Sequence, residues 1–273
     1  MKFLIEHESS YHYSEPVAHT IQALHLRPLD TPSQKVHSWQ IKVPQSAALK
    51  ETRDVYGNAL QMLCIERPHS EIAIRVSGVV ETFGADWGLA TTVERFVPRF
   101  FLRRTMLTQH DESIAVLTAD AVAASDGTTL DTAHRLMNAI RAAIDYRPGT
   151  TDVATTAAEA LAAGSGVCQD HAHVFISAAR LAGIPARYVS GYLCTGSAVD
   201  DDAGHAWAEA HIEGLGWVGF DVANCICPTD AYVRVAYGLD YLEAAPIRGL
   251  RRGGGQETMT VRLKVAEGAS QQQ

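Results

Sequence analysis

The stretch that most constrains this chain is Gly164-Ser165-Gly166-Val167-Cys168-Gln169-Asp170-His171-Ala172-His173, which runs without a break into Val174-Phe175-Ile176-Ser177-Ala178-Ala179-Arg180-Leu181-Ala182. Two glycines make a tight turn, and the apolar run behind them reads as a buried helix. Cys168 is therefore delivered to the first turn of that helix, near unpaired backbone N–H groups and the positive end of the macrodipole. Helix N-termini with a histidine close by are settings in which thiols become nucleophilic. A second reading stands beside it, because free cysteine is among the most buried residue types and Cys168 can equally be a packing residue.

The rest of the composition narrows the partners. A net charge of −8 over 273 residues argues against nucleic acid and against an anionic membrane surface. No apolar run approaches the roughly 18 residues of a membrane span, and Glu6 and Glu8 interrupt the first residues too early for a secretory leader. The five cysteines (64, 168, 194, 225 and 227) are odd in number and widely spread. They form no disulfide framework, which makes a reducing, cytoplasmic compartment the expectation.

Residues 1–82 read as an all-β domain, with strands expected at Lys2–Glu8, Ile21–Arg27, Ser38–Val43, Leu60–Glu66 and Glu71–Glu81. Trp39, Ile41 and Val43 alternate with Gln40 and Lys42, the period of a half-buried strand, and Asp54-Val55-Tyr56-Gly57-Asn58 is a turn signal. Such spacing predicts a small antiparallel sandwich or barrel. His7, His12, His19, His25 and His37 are scattered through it and read as surface or packing residues. Residues 83–128 form a connecting segment with Trp87, a Phe96–Phe101 cluster and a weak helical pattern over Glu112–Ala124. From Thr129 the period becomes helical, with Leu130, Ala133, Met137, Ile140 and Ile144 on one side. Pro148-Gly149 closes that element, and a short helix over Thr156–Ala163 precedes Gly164. The core is expected to span 129–250. The remainder, 251–273, should comprise a flexible loop at Arg251-Arg252-Gly253-Gly254-Gly255, a last strand at Thr258–Val265 and a frayed tail from Ser270.

A thiol nucleophile needs a base, and the base needs an orienting group. After the stop signal Gly183-Ile184-Pro185 comes a strand at Ala186–Leu193 and an acidic loop at Cys194–Gly204. A hairpin of His205–Ile212 and Trp217–Val222 follows. Alternation puts His205, Trp207, Glu209 and His211 on one face, and Trp217, Gly219 and Asp221 on one face of the partner strand. The two faces coincide only if paired residue numbers sum to an even value. The chemistry thus requires Ile212 opposite Gly216 and Trp207 opposite Asp221, or a bulge that restores this phase. His205 and Asp221 are then diagonal neighbours. Metal binding is not expected: His171 and His173 point about 200° apart on a helix and cannot join Cys168 on one ion. Cys225-x-Cys227 is too close for the usual zinc pair and reads as peripheral.

These segments resemble the bacterial transglutaminase-like superfamily. The resemblance is carried by Gly166-Val167-Cys168-Gln169-Asp170, Leu181–Tyr192, His205-Ala206-Trp207-Ala208-Glu209 and Gly216-Trp217-Val218-Gly219-Phe220-Asp221. In the first 80 residues Tyr11–Val17, Leu26-Arg27-Pro28 and Asp54–Asn58 are similar to that group's N-terminal β-domain. The resemblance implies an α+β chain in which an N-terminal antiparallel β-domain precedes a papain/transglutaminase-like core, with a nucleophile helix packed on an antiparallel sheet. It implies Cys168 as nucleophile, His205 as base and Asp221 as orienter, with Asp170 and His173 supporting the helix start. Gln169, Tyr192 and Trp207 are candidates for the oxyanion or substrate wall. Members commonly continue with Pro-Thr after the aspartate; here Val222-Ala223-Asn224 follows, which puts the local turn in question. The expected activity is acyl transfer from an amide, through a thioester, in a peptide or protein substrate, without a cofactor. Hydrolysis of a peptide or isopeptide bond is the leading expectation, since the short core shows no dedicated amine tunnel. Transamidation of the protein-glutamine gamma-glutamyltransferase kind and a non-catalytic interaction protein are the alternatives.

Overall fold

A computed structural model of the chain describes residues 1–84, 95–194 and 204–268. Trp87, most of the acidic loop after Cys194 and the tail from Ser270 lie outside the described residues.

The N-terminal part is built on one long strand. β1 (Lys2–Leu24) is followed by β2 (Gln34–Lys42), β3 (Ala48–Arg53), β4 (Ala59–Ile65) and β5 (His69–Thr82), all antiparallel. Two strands expected at its ends are thus one. Ser9, Tyr11 and Tyr13 keep facing the core between them, and irregularities near Pro16 let the strand bend without stopping. The N-terminal half of β1 lies beside β5, and its C-terminal half lies beside β4. Inward residues of both halves meet in a shared core of Tyr11, Val17, Leu24, Leu63, Ile72 and Val76.

The connecting segment holds two short 3-10 turns, Pro98–Leu102 and Met106–Thr108, and then α1 (Glu112–Ala124). α2 (Thr129–Ala143), β6 (Asp145–Tyr146), α3 (Ala157–Ala163) and β7 (Ser165–Gly166) lead to α4 (Cys168–Leu181). Thr156 caps α3 through a reciprocal pair with Glu159, and Gly164 ends it in the left-handed region at φ 60°. Beyond α4 come β8 (Ala186–Leu193), β9 (His205–Ile212), β10 (Gly216–Phe220), β11 (Tyr232–Gly238) and the single turn α5 (Tyr241–Ala244). The core sheet has the order β10-β9-β8-β11 and is antiparallel throughout. The α+β arrangement of an antiparallel β-region joined to a helix-on-sheet core is thus observed.

The chain's end differs from its expected loop. β12 (Ile247–Gly253) and β13 (Glu257–Glu267) both pair with β1. Arg251 and Arg252 belong to a strand, and only the turn through Gly254 and Gly255, both with positive φ, separates the two. The backbone of β1 has unpaired N–H and C=O groups along that side, and pairing satisfies them where a loop would not.

One buried side chain ties the connecting segment to the core. Arg180 of α4 donates to the carbonyls of Phe101 (2.9 Å), Ala186 (2.9 and 3.1 Å) and Leu239 (2.6 Å) and to the Thr108 hydroxyl (2.7 Å). Burial lowers its pKa to about 10, which leaves it charged at neutral pH, with Asp240 and Glu243 partly offsetting that shift. Replacing it by methionine keeps the volume and strands those acceptors without water. Arg180→Met is expected to lose at least about 3 kcal/mol of stability in urea unfolding. A loss below about 1 kcal/mol would show that the 3-10 segment does not depend on this anchor.

Candidate active site

Cys168 starts α4 because the chain before it cannot be helical. β7 pairs with β6, Val167 is extended, and the Val167 N–H is taken by Asp170 Oδ2 at 2.7 Å. Thr151 donates to the same oxygen at 2.7 Å. Gly166 has to be glycine, since a Cβ there would lie 2.7 Å from Asp170 Oδ2. Asp170 thus closes the first turn and adds negative charge where the helix favours it. His171, on the next position, has Nδ1 at 2.9 Å from the Val167 carbonyl and Nε2 at 3.2 Å from that of Ile144. Both nitrogens are directed at backbone, so the ring pins the turn. His173 accepts from the Tyr241 N–H at 3.1 Å and holds α5 against α4. Its burial, with Arg180 nearby, depresses the ring pKa to about 3, so it is neutral.

The base arrives on the hairpin. Ile212 pairs with Gly216 and Ala208 with Phe220, so the loop has three residues and Trp207 stands level with Asp221. This is the phase that puts His205 and Asp221 on one face. His205 Nε2 donates to Asp221 Oδ2 at 2.6 Å. Cys168, at the start of α4, also interacts with the imidazole. Burial alone would push the imidazole pKa down, but the hydrogen bonds to Asp221 and Cys168 outweigh it and raise the value to about 10. Trp207 stacks along the ring at 6.3 Å, and Tyr232 lies at 5.8 Å. Cys168, His205 and Asp221 are thus brought together beside two aromatics.

Asp221 has more partners than the hairpin pattern alone implies. Tyr232 of β11 donates its hydroxyl to Oδ2 at 2.6 Å, and Asn224 donates from Nδ2 at 2.8 Å and from its backbone at 3.2 Å. Burial raises the carboxyl pKa, and the bonds from His205, Tyr232 and Asn224 overcome that and hold it below the usual carboxylate range. The residues that stand where the family commonly has Pro-Thr therefore form a closed turn. Asp221 and Ile226 bridge each other, Cys225 adopts φ 56°, and Asn224 folds back on the carboxylate. A short polar residue three positions after an aspartate was a readable turn signal. Tyr232, from a strand eleven residues on, carried none.

The other expected side chains divide. Gln169 is buried beside Cys168 in the first turn, and Trp207 lines the base. Tyr192 is elsewhere in the contact network: its hydroxyl meets His7 Nδ1 at 3.1 Å, in a cluster with Phe3, Ile5 and Val233 that joins the two parts of the chain. Cys225 donates to Asn138 at 3.1 Å, and Cys227 packs on the core, where burial raises its thiol pKa.

Folding raises the proton affinity of His205, so it contributes stability that is complete below its ordinary value of 6.5 and is lost as pH rises through about 10. The stability advantage of wild type over His205→Gln, from urea unfolding at stepped pH, is expected to shrink between those limits. An advantage that stays constant across them would show that Asp221 and Cys168 do not hold the ring protonated.

Comparison with known proteins finds counterparts for both parts of the chain. Residues 117–222 match the model of the transglutaminase-like superfamily core, and residues 3–81 match the bacterial transglutaminase-like N-terminal region. An uncharacterized protein of Mycobacterium leprae is 28% identical over 277 residues, covering 96% of this chain and 97% of that one. One of Mycobacterium tuberculosis is 26% identical over 273 residues, covering 91% of this chain and 87% of its own. The crystal structure of a candidate cysteine protease from Cytophaga hutchinsonii superposes with a TM-score of 0.77 at 23% identity, over 97% of this chain and 90% of that one. The two models match in order, so the chain carries a transglutaminase-like core behind a bacterial transglutaminase-like N-terminal region.

Proposed function

We propose that this protein is a cysteine-nucleophile acyl-transfer enzyme acting on an amide bond, with hydrolysis of a peptide or isopeptide bond as its reaction. The observation that carries the reading is the placement of His205, with Nε2 on Asp221 and the ring interacting with Cys168. In this reading Cys168 Sγ attacks the carbonyl carbon, and the proton held on His205 Nδ1 passes to the leaving amine. The C–N bond breaks, and a thioester to Cys168 remains. Water then gives a proton to His205 and attacks the thioester, the C–S bond breaks, and the acid leaves with the Cys168 thiolate and protonated His205 restored. Asp221 keeps the ring oriented and stabilises its charged form, and Tyr232 and Asn224 hold Asp221.

The developing oxyanion has a place at the start of α4, where the Cys168 N–H has no intrahelical acceptor. Of the side chains expected as second donor, Tyr192 is committed to His7, and Gln169 is the one beside the thiol. A peptide or protein is the substrate class this reading assigns, with no cofactor. Five free thiols fit a reducing, cytoplasmic setting. Among the described residues, no helix is long and apolar enough to cross a membrane.

A peptide library incubated with wild type and with Cys168→Ala, read by mass spectrometry, tests the reaction. Hydrolysis predicts fragments whose masses sum to the parent plus one water, and a rate at least about a thousandfold lower for the variant. Cross-linked products or amine incorporation would replace hydrolysis by transamidation. Equal behaviour of the two proteins would remove the enzymatic reading. Iodoacetamide at mildly acidic pH provides an independent check: Cys168 is expected to react well ahead of Cys227, and equal rates would count against an activated thiol.

A further inference from the structure

The outer face of the N-terminal sheet carries a group that the proposed chemistry leaves unused. We propose that His19, Cys64 and Glu66 form a metal site for a borderline-soft dication of the zinc class.

The backbone assembles it. Along β1 the inward residues are Phe3, Ile5, His7, Ser9, Tyr11, Tyr13 and Val17, all odd-numbered. Continued without interruption, that phase would turn His19 into the core. An irregularity between Val17 and His19 in the pairing with β12 shifts the phase, so Thr20, Gln22 and Leu24 face inward and His19 faces out. Pairing of Thr20 with Ile65 and Ile21 with Cys64 places Glu66, just beyond β4, level with His19. In β4 the inward residues are Ala59, Gln61, Leu63 and Ile65, so Cys64 shares the outer face. A cysteine on that half-exposed face has no packing role of the kind that usually explains a free thiol.

The spacing fits a metal. Cys64 Sγ and His19 Nε2 are 3.6 Å apart, and one ligand atom from each of the three residues lies within 4.8 Å of the other two. With zinc–sulfur near 2.3 Å and zinc–nitrogen near 2.0–2.1 Å, a tetrahedral angle separates sulfur from nitrogen by about 3.6 Å. The glutamate needs only a side-chain adjustment to complete three corners, and the fourth faces solvent. A thiolate and a carboxylate balance the charge of a dication, and the thiol proton leaves on binding. Arg252 of β12 is level with His19 on its other side, and it is the cation this site has to tolerate. An imidazole, a thiolate and a carboxylate together favour zinc over calcium or magnesium.

Cobalt(II) reads the site directly, because a thiolate ligand gives a near-ultraviolet charge-transfer absorption. Cys168→Ala is used as the background so that the candidate nucleophile does not compete. It is expected to take up one cobalt per chain with that absorption. Cys64→Ser in the same background should abolish it, and His19→Ala and Glu66→Gln should each weaken binding at least about tenfold, the scale that even outer-shell partners carry. An absorption that survives Cys64→Ser would move the thiolate to another cysteine and overturn the assignment, as would the lack of uptake at tenfold metal excess. If Cys64→Ser does not fold, alkylation of the Cys168→Ala protein with and without zinc decides. Protection of Cys64 supports the site, and alkylation of Cys64 unchanged by saturating zinc removes it.

Discussion

Helix α4 has no solvent face, and the rest of the core is arranged to cover it. Every residue from Gln169 to Arg180 is buried, with α1–α3 and the sheet strands β8 and β9 around it. A helix enclosed in this way gains its stability from packing on all sides and has one position left for chemistry, its first turn. Cys168 occupies that position and is only partly exposed. The backbone of Cys168 is therefore as fixed as the core itself, the rigid support that the proposed chemistry needs. Asp170, Thr151 and His171 spend their hydrogen bonds on holding that turn and leave the thiol to His205.

The sheet face opposite α4 is organised around charge. Arg187 is fully buried and donates to Glu209 Oε2 at 2.6 Å, and Arg234 approaches the other oxygen of Glu209 at 2.9 Å. Arg187 also lies over the rings of Trp217 and Tyr237, at 3.9 and 4.2 Å. Burial raises the Glu209 carboxyl pKa and the two arginines more than offset it, so the carboxylate stays charged. A buried network of this type adds little net stability over an apolar core, but losing one member leaves uncompensated charge. Glu209 is two positions beyond Trp207 on the strand that carries His205, and Arg234 is two beyond Tyr232 on the strand that steadies Asp221. The network couples those two strands across β8, and so it fixes the spacing between His205 and Tyr232, the residue that holds Asp221.

The legible parts of this molecule were the ones governed by local pattern. The α4 boundary, the stop of α3 at Gly164 and the parity of the 205–221 hairpin all follow from residues close in sequence. The parity argument reached furthest, because a side-chain period of two converts a loop length into a statement about which side chains meet. What stayed hidden depends on distant residues. Tyr232 reaches Asp221 from the other edge of the sheet, and Tyr192 is turned toward His7, which is 185 positions away. Residues 95–111 carry no periodic signal because they are held by Arg180 and by the aromatic cluster of Tyr56, Phe96, Phe100 and Phe101, which are tertiary contacts.

The same distinction explains why Arg251 and Arg252 lie in a strand where their composition predicts a loop, while the strand expected at Thr258–Val265 is present. Arg251-Arg252-Gly253-Gly254-Gly255 has the composition of a flexible segment, yet β1 requires partners on both edges. Along Phe3–Tyr13 one edge is taken by β5 and the other by β13; along Thr20–Leu24 the partners are β4 and β12. With residues 1–82 alone, β1 would expose an unpaired edge more than ten residues long, the kind of surface that recruits foreign strands. Leu263 and Val265 of β13 also close the cluster of Phe3, Ile5 and Val80 over Tyr192 and Val233 of the core sheet. The last strands thus complete the first region and seal it to the core at once. The N-terminal sheet is therefore complete only with strands from both sides of the core in sequence, and its closure and its packing against β8 and β11 share the same side chains.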